Sequence, residues 1–119
     1  MSVEFDEELR AEFVVESTDL LQKLGSQLMD LEKRPDDADL LNSIFRGFHT
    51  IKGGAGFFDL IAIVRLCHVA EDVFNLLRAG NAKITAEMMD VVQGAVDELR
   101  AMLDAVATDA PVPEPLQST

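Results

Sequence analysis

The chain has no tryptophan, no tyrosine and a single cysteine, and its basic residues are outnumbered by acidic ones, 10 against 22. Each shortage excludes something. With Cys67 alone there is no internal disulfide, so a disulfide-stapled scaffold is ruled out. A net charge of -12 argues against nucleic acid or an anionic membrane as partner, because both are gripped by clustered Lys and Arg that release counterions. The acidic surface suits a partner with a basic rim instead. No apolar run approaches the ~20 residues that cross a bilayer, and the start Met1-Ser-Val-Glu-Phe-Asp6 lacks the basic and apolar regions of a secretory signal. A soluble protein of a reducing cytoplasm is the expectation. What is plentiful is Ala, Leu, Met, Glu, Asp and Arg, strong helix formers that dominate over β-branched and aromatic types. The 119 residues, 48% of them apolar, therefore predict one all-helical domain with a real core.

Hydrophobic spacing divides the chain. Leu9, Phe13, Leu20, Leu24, Leu28 and Leu31 recur every three or four residues, which predicts a long first helix from Asp6 to about Lys33, stopped at Arg34-Pro35. The run Pro35-Asp36-Asp37-Ala38-Asp39 supplies a turn and carboxylates that can cap a second helix, continued by Leu41, Ile44, Phe45, Phe48 and Ile51. Asp59 is expected to cap a third, with Ile63, Val64, Leu66 or Cys67, Ala70, Phe74 and Leu77 inward and Arg78-Ala79-Gly80-Asn81 at its end. Thr85 is expected to cap a fourth, buried along Met88, Val91, Val92, Ala95, Val96, Leu99, Met102, Leu103 and Val106. Four such helices with short connections make an antiparallel up-and-down four-helix bundle. From Thr108 to Thr119 proline density forbids helix and the apolar content is too low for a core, so 1–107 is expected as the domain and 108–119 as a disordered linker or tail.

The second helix carries the chemistry. Helical geometry puts Arg46, His49, Lys52, Gly53 and Gly56 on one stripe, away from the apolar side. Each interior glycine costs roughly 1 kcal/mol relative to alanine, so Gly53, Gly54 and Gly56 require a compensating gain. Access of a large partner to His49 is the plainest one. On the third helix His68 and Glu71 stand one turn apart, within reach of His49 if the two helices pack side by side. A carboxylate accepting from Nδ1-H leaves Nε2 bare and nucleophilic and stabilises the cation formed when that nitrogen bonds phosphorus. Lys52 can neutralise phosphoryl oxygens, and Arg46 can do the same or meet an acidic partner. No Gly-x-x-x-x-Gly-Lys-Ser/Thr run and no kinase-type glycine loop is present, so the phosphoryl donor must lie elsewhere.

Blander readings compete. A lone histidine on a bundle helix is usually structural, Arg46 and Lys52 are ordinary surface charges in many helices, and the glycines can form a helix end. A metal-binding bundle wants Glu-x-x-His on two helices, whereas here His68-x-x-Glu71 occurs once, in the reverse order, and Lys52 would repel a cation beside His49. An inert interaction bundle leaves the glycine cost without a return. Cys67 is expected as a small buried hydrophobe.

His49-Thr-Ile-Lys52-Gly-Gly-Ala-Gly-Phe resembles the phosphorylation motif of histidine phosphotransfer (HPt) domains, in particular the N-terminal one of CheA-type chemotaxis histidine kinases. The likeness extends to Leu41-Asn42-Ser43-Ile44-Phe45-Arg46, to His68-Val-Ala-Glu71-Asp72 and to Leu77-Arg78-Ala-Gly80, over roughly residues 5–107. It implies that His49 is phosphorylated on Nε2 by the ATP-bound catalytic domain of the same kinase or its dimer mate. The phosphoryl group then passes to an aspartate of a CheY-like or CheB-like receiver. It further implies that Glu71 orients and activates His49, that His68 adds a supporting hydrogen bond, that Lys52 assists the phosphoryl group, and that Gly53 and Gly54 let partners approach. The domain itself would hold no cofactor and no metal and have no turnover of its own, ATP and Mg belonging to the partner kinase domain. An HPt of a hybrid phosphorelay outside chemotaxis is the alternative. Two features depart from the family: Cys67 stands where threonine is frequent, and Phe57-Phe58-Asp59 replaces a smaller, glycine-containing segment.

Overall fold

The computed structural model describes residues 3–108, with side chains from residue 7. Four helices make up nearly all of it: α1 (Val3–Lys33), α2 (Ala38–Phe57), α3 (Ile61–Arg78) and α4 (Ala86–Ala107). No strand occurs among the described residues. α1 packs on α2, α2 on α3, α3 on α4 and α4 back on α1. Connections confined to 34–37, 58–60 and 79–85 force each helix to reverse on the last. The result is the expected up-and-down bundle.

Local chemistry sets the boundaries. Asp37 caps α2, its side chain accepting from the Leu40 amide at 3.0 Å while Arg34 holds the same carboxylate at 2.9 Å. Thr85 caps α4 by accepting from the Met88 amide, also at 3.0 Å. At the end of α3, Gly80 takes φ +78 and the amides of Gly80 and Asn81 return to Leu77 and Leu76, the paired bonds of a Schellman closure.

Asp59 differs from expectation. It does not cap α3, whose N-cap is Leu60 with no side-chain bond. Asp59 instead has φ 56, and the amides of Asp59 and Leu60 bond back to Gly56 and Ala55. It therefore closes α2, in the left-handed position that usually goes to glycine.

Leu21, Leu24, Leu28 and Leu31 of α1 meet Ile44, Phe48 and Ile51 of α2, Ile63, Cys67 and Phe74 of α3, and Leu99, Met102 and Leu103 of α4 in one core. Each large side chain so buried stabilises the fold by about 1.5–3 kcal/mol. The α2–α3 interface is the most extensive, pinned by the buried rings of Phe48 and Phe74 at 6.0 Å. Cys67 is buried as expected. Leu9 and Leu20 are only half-buried, Leu21 having the inward slot. On α4 the expected stripe is too wide for a helix flanked by two neighbours: Val91 is exposed, Met88 half-buried, and Met89 lies inside. α4 ends at Ala107 with Thr108 as C-cap, and the tail expected beyond it lies outside the described residues. None of the described helices is long and apolar enough to cross a membrane.

Candidate functional site

Because Leu41, Ile44, Phe48, Ile51 and Ala55 turn α2 into the core, the opposite face faces water. His49 is there with its side chain 63% exposed. Arg46, Gly53 and Gly56 share that exposure, and a Cβ placed on Gly53 or Gly56 would meet nothing within 4 Å. Across the α2–α3 interface stands Glu71, buried although charged. It lies at the edge of the α3 face whose centre is filled by Cys67, Ala70 and Phe74.

One carboxylate serves two residues of α2. Glu71 Oε2 lies 2.8 Å from His49 Nδ1, and Oε1 lies 2.7 Å from Lys52 Nζ. Burial on its own pushes the Glu71 carboxyl up, but Lys52 and then His49 more than reverse this and hold it below the usual carboxylate value. An ionised carboxylate only accepts, so Nδ1 of a neutral imidazole must be the N-H donor and Nε2 keeps its lone pair. Beneath this pair the Cys67 thiol is pushed up to about 12, first by burial and then by the negative charge of Glu71, with Lys52 opposing. It is an inert filler at neutral pH.

His49, Glu71 and Lys52 thus come together as the sequence predicts, with one addition. The Lys52 ammonium also pairs with Glu71, a contact that sequence reasoning did not name. His68 is a correction: it is exposed, and its nearest charged neighbour is Asp72 at 3.7 Å, with no hydrogen bond to His49 or Glu71. Glu71 already sits at the rim of the buried face, and His68 falls roughly 60° further round the helix, in solvent. Gly54 is a second correction. A Cβ there would come within 2.6 Å of the Phe13 ring, so its missing side chain makes room for α1 rather than for a partner. Arg46 lines a groove of about 270 Å³ between α1 and α2 together with Lys23, Ser43 and Thr50, away from Glu71. Among the described residues no three His, Cys, Asp or Glu side chains gather as a metal site.

Sequence reasoning placed Phe45 on the apolar side and Arg78 at a helix end, and missed their meeting at the imidazole. The Phe45 ring lies nearly parallel to that of His49, 10° between planes and 6.1 Å between centroids. The Arg78 guanidinium covers Phe45 at 3.8 Å. The i, i+4 spacing of Phe45 and His49 was the available signal; Arg78 carried none, since it arrives from α3.

The family model of the Hpt domain matches residues 8–109. The chain belongs to the Hpt domain family. Among curated relatives, this Hpt domain is 41% identical over 97 residues to the sensor histidine kinase CheAY of Helicobacter pylori, an alignment covering 82% of the chain and 12% of that protein. It is 36% identical over 104 residues to the chemotaxis protein CheA of Cereibacter sphaeroides, covering 85% of the chain and 15% of the relative. The chain thus spans about an eighth of the length of such relatives. Among solved structures it superposes on the CheA phosphotransferase domain from Thermotoga maritima with a TM-score of 0.82 and 34% identity, covering 90% of this chain and 99% of that one. It also matches the phosphorylated P1 domain of CheA3 in complex with CheY6 from R. sphaeroides, with a TM-score of 0.78 and 28% identity over 87% of this chain and 82% of that one.

Proposed function

We propose that this Hpt domain is the phosphotransfer module of a chemotaxis histidine kinase and that His49 is its phosphoacceptor. The observation that carries the reading is the 2.8 Å contact between Glu71 Oε2 and Nδ1 of an imidazole that is itself 63% exposed. That geometry aims the Nε2 lone pair at solvent, where a partner can present phosphorus. Nε2 attacks the γ-phosphorus of ATP bound, with Mg, in the partner kinase domain. The N–P bond forms as the P–O bond to ADP breaks, and the electron pair leaves with ADP. The ring then carries a positive charge, which Glu71 stabilises from a site where water does not screen it. In the second step an aspartate oxygen of a CheY-like or CheB-like receiver attacks phosphorus, and the N–P electrons return to Nε2. The CheY6 complex formed by the similar P1 domain supports a receiver as partner.

Roles follow from position. Glu71 fixes the tautomer, and Lys52 keeps Glu71 ionised while retaining N-H donors for the phosphoryl oxygens. Arg46, Gly53 and Gly56 form the exposed strip against which kinase and receiver dock. The module requires no cofactor of its own and turns nothing over alone. It works in the cytoplasm, with neither nucleic acid nor membrane as ligand, in keeping with its net charge of -12.

Incubation with the cognate kinase domain, Mg and ATP should give an acid-labile, base-stable phosphoryl label. His49→Gln should abolish the label with the helical circular dichroism unchanged. A label that survives this substitution would end the reading.

A further inference from the structure

Glu71 fixes one atom of the reactive ring. A single hydrogen bond at Nδ1 leaves an imidazole free to rock about that bond, and a ring with 63% of its side chain in water has little packing to stop it. A neighbouring ring supplies a second constraint. Phe45, one turn earlier on α2, lies 10° from parallel with the His49 ring at a centroid separation of 6.1 Å, within the range of offset aromatic pairs.

Phe45 is itself held. The Arg78 guanidinium carbon lies 3.8 Å from its centroid, the contact of a cation seated on a ring face. Exposed arginines ordinarily sample many rotamers, yet this one is tied by its edges. Nε and Nη2 donate to Asn75 Oδ1 at 3.3 and 3.2 Å, and Nη1 donates to Asn42 Oδ1 at 3.3 Å. Asn42 belongs to α2, and Asn75 and Arg78 to α3, so the clamp spans the same helix pair that brings His49 to Glu71.

We infer that Phe45 is a positioning residue for His49, setting the plane of the imidazole while Glu71 sets its tautomer, and that Arg78 acts through Phe45. Bond and plane together define where Nε2 points. The inference rests on His49 being the phosphoacceptor and adds to that reading the residues that aim it.

Phosphoramidate separates aim from docking, because it brings no protein surface. Its P–N bond breaks, ammonia leaves, and the phosphoryl group joins Nε2. With this donor Phe45→Leu, which keeps apolar bulk but loses the flat face, should lower the limiting rate about fivefold with half-saturation unchanged. Phe45→Tyr, which keeps the face, should restore the wild-type rate. Arg78→Ala should lower the rate about twofold, and no further in the Phe45→Leu background, as expected of residues acting in series. Arg78 is exposed, so its variant keeps the test open where Phe45→Leu does not fold. Wild-type rates in Phe45→Leu and Arg78→Ala would overturn the inference, as would failure of tyrosine to rescue. Independent, multiplicative effects of the two substitutions would overturn the route through Phe45. A wild-type domain that takes no label on His49 would remove the phosphoacceptor reading itself, a different failure from labelled wild type with indifferent variants.

Discussion

The ammonium of Lys52 lies 2.7 Å from Oε1 of Glu71, the same carboxylate whose other oxygen holds His49 at 2.8 Å. The pair is what allows an acid to remain charged at the edge of the core. Burial alone raises the carboxyl, with Lys52 and then His49 opposing it, and a protonated Glu71 could no longer dictate which imidazole nitrogen carries the hydrogen.

A pH dependence follows, and its sign is fixed by the direction of the shift. The folded Glu71 carboxyl sits below its ordinary value of 4.5. Its contribution to stability is therefore present above 4.5 and is lost as pH falls through the lower folded value. Urea unfolding of wild type and Glu71→Gln should show a stability difference at pH 7 that closes under acid, the other carboxylates cancelling in the comparison. In Lys52→Met the burial effect is opposed by His49 alone. The Glu71 carboxyl should then titrate higher than in wild type by 13C NMR, and an unchanged midpoint would remove Lys52 from the account.

Glu71→Gln should also slow phosphorylation of His49, from the kinase domain and from phosphoramidate alike, by about ten- to hundredfold. An amide can turn its NH2 toward Nδ1, which moves the imidazole hydrogen to Nε2 and blocks the nucleophile. 15N NMR of the ring should accordingly show the tautomer population moving toward Nε2-H. Loss of rate without a tautomer change would mean that Glu71 acts through charge alone.

The bundle was legible because each helix carries its own stripe and stop signals: Pro35 after α1, Gly80 after α3, Thr85 before α4. His49, Lys52 and Glu71 were legible because i, i+3 spacing on α2 and an acid on the next helix suffice to bring them together. What escaped was angular. His68 and Cys67 are adjacent in sequence, yet only Cys67 turns under Glu71, since the centre of the buried face of α3 is set by packing against α2 and α4. The three glycines of α2 look alike as letters, and only the position of Phe13 separates Gly54 from the others. Phe45 and Arg78 meet across two helices, a relation that spacing within one helix does not encode.

The glycines give opposed outcomes under one substitution. Gly54→Ala would press a methyl group to within 2.6–2.7 Å of the buried Phe13 ring, and overpacking of this kind costs about 1–3 kcal/mol. Gly53→Ala meets nothing within 4 Å and should stabilise the helix by about 0.5–1 kcal/mol. The gain should come with slower labelling by the kinase domain, as a methyl group intrudes where the partner docks, and with an unchanged rate from phosphoramidate. Chemical denaturation and the two donors check these together. Equal stability changes at 53 and 54 would contradict the assignment of Gly54 to the α1 interface.

Asp59 holds the one non-glycine positive φ among the described residues, at 56. A side chain in this left-handed position crowds the following carbonyl, by roughly 1–2 kcal/mol for an ordinary residue and less for Asp, whose short polar side chain can compensate locally. Glycine escapes that crowding but has more freedom to lose on folding. The balance predicts that Asp59→Gly stabilises the domain by up to about 0.5 kcal/mol, read as a slightly higher urea midpoint with unchanged slope. The amide bonds from Asp59 and Leu60 to Gly56 and Ala55 should gain hydrogen-exchange protection in the variant, because they close the turn that glycine relaxes. Asp59→Ala, which keeps a Cβ and loses the carboxylate, should move the midpoint the other way. Had Asp59 capped α3 through its side chain, glycine and alanine would both destabilise, so a lower midpoint in Asp59→Gly would reinstate the capping role that the structure gives to no side chain at Leu60.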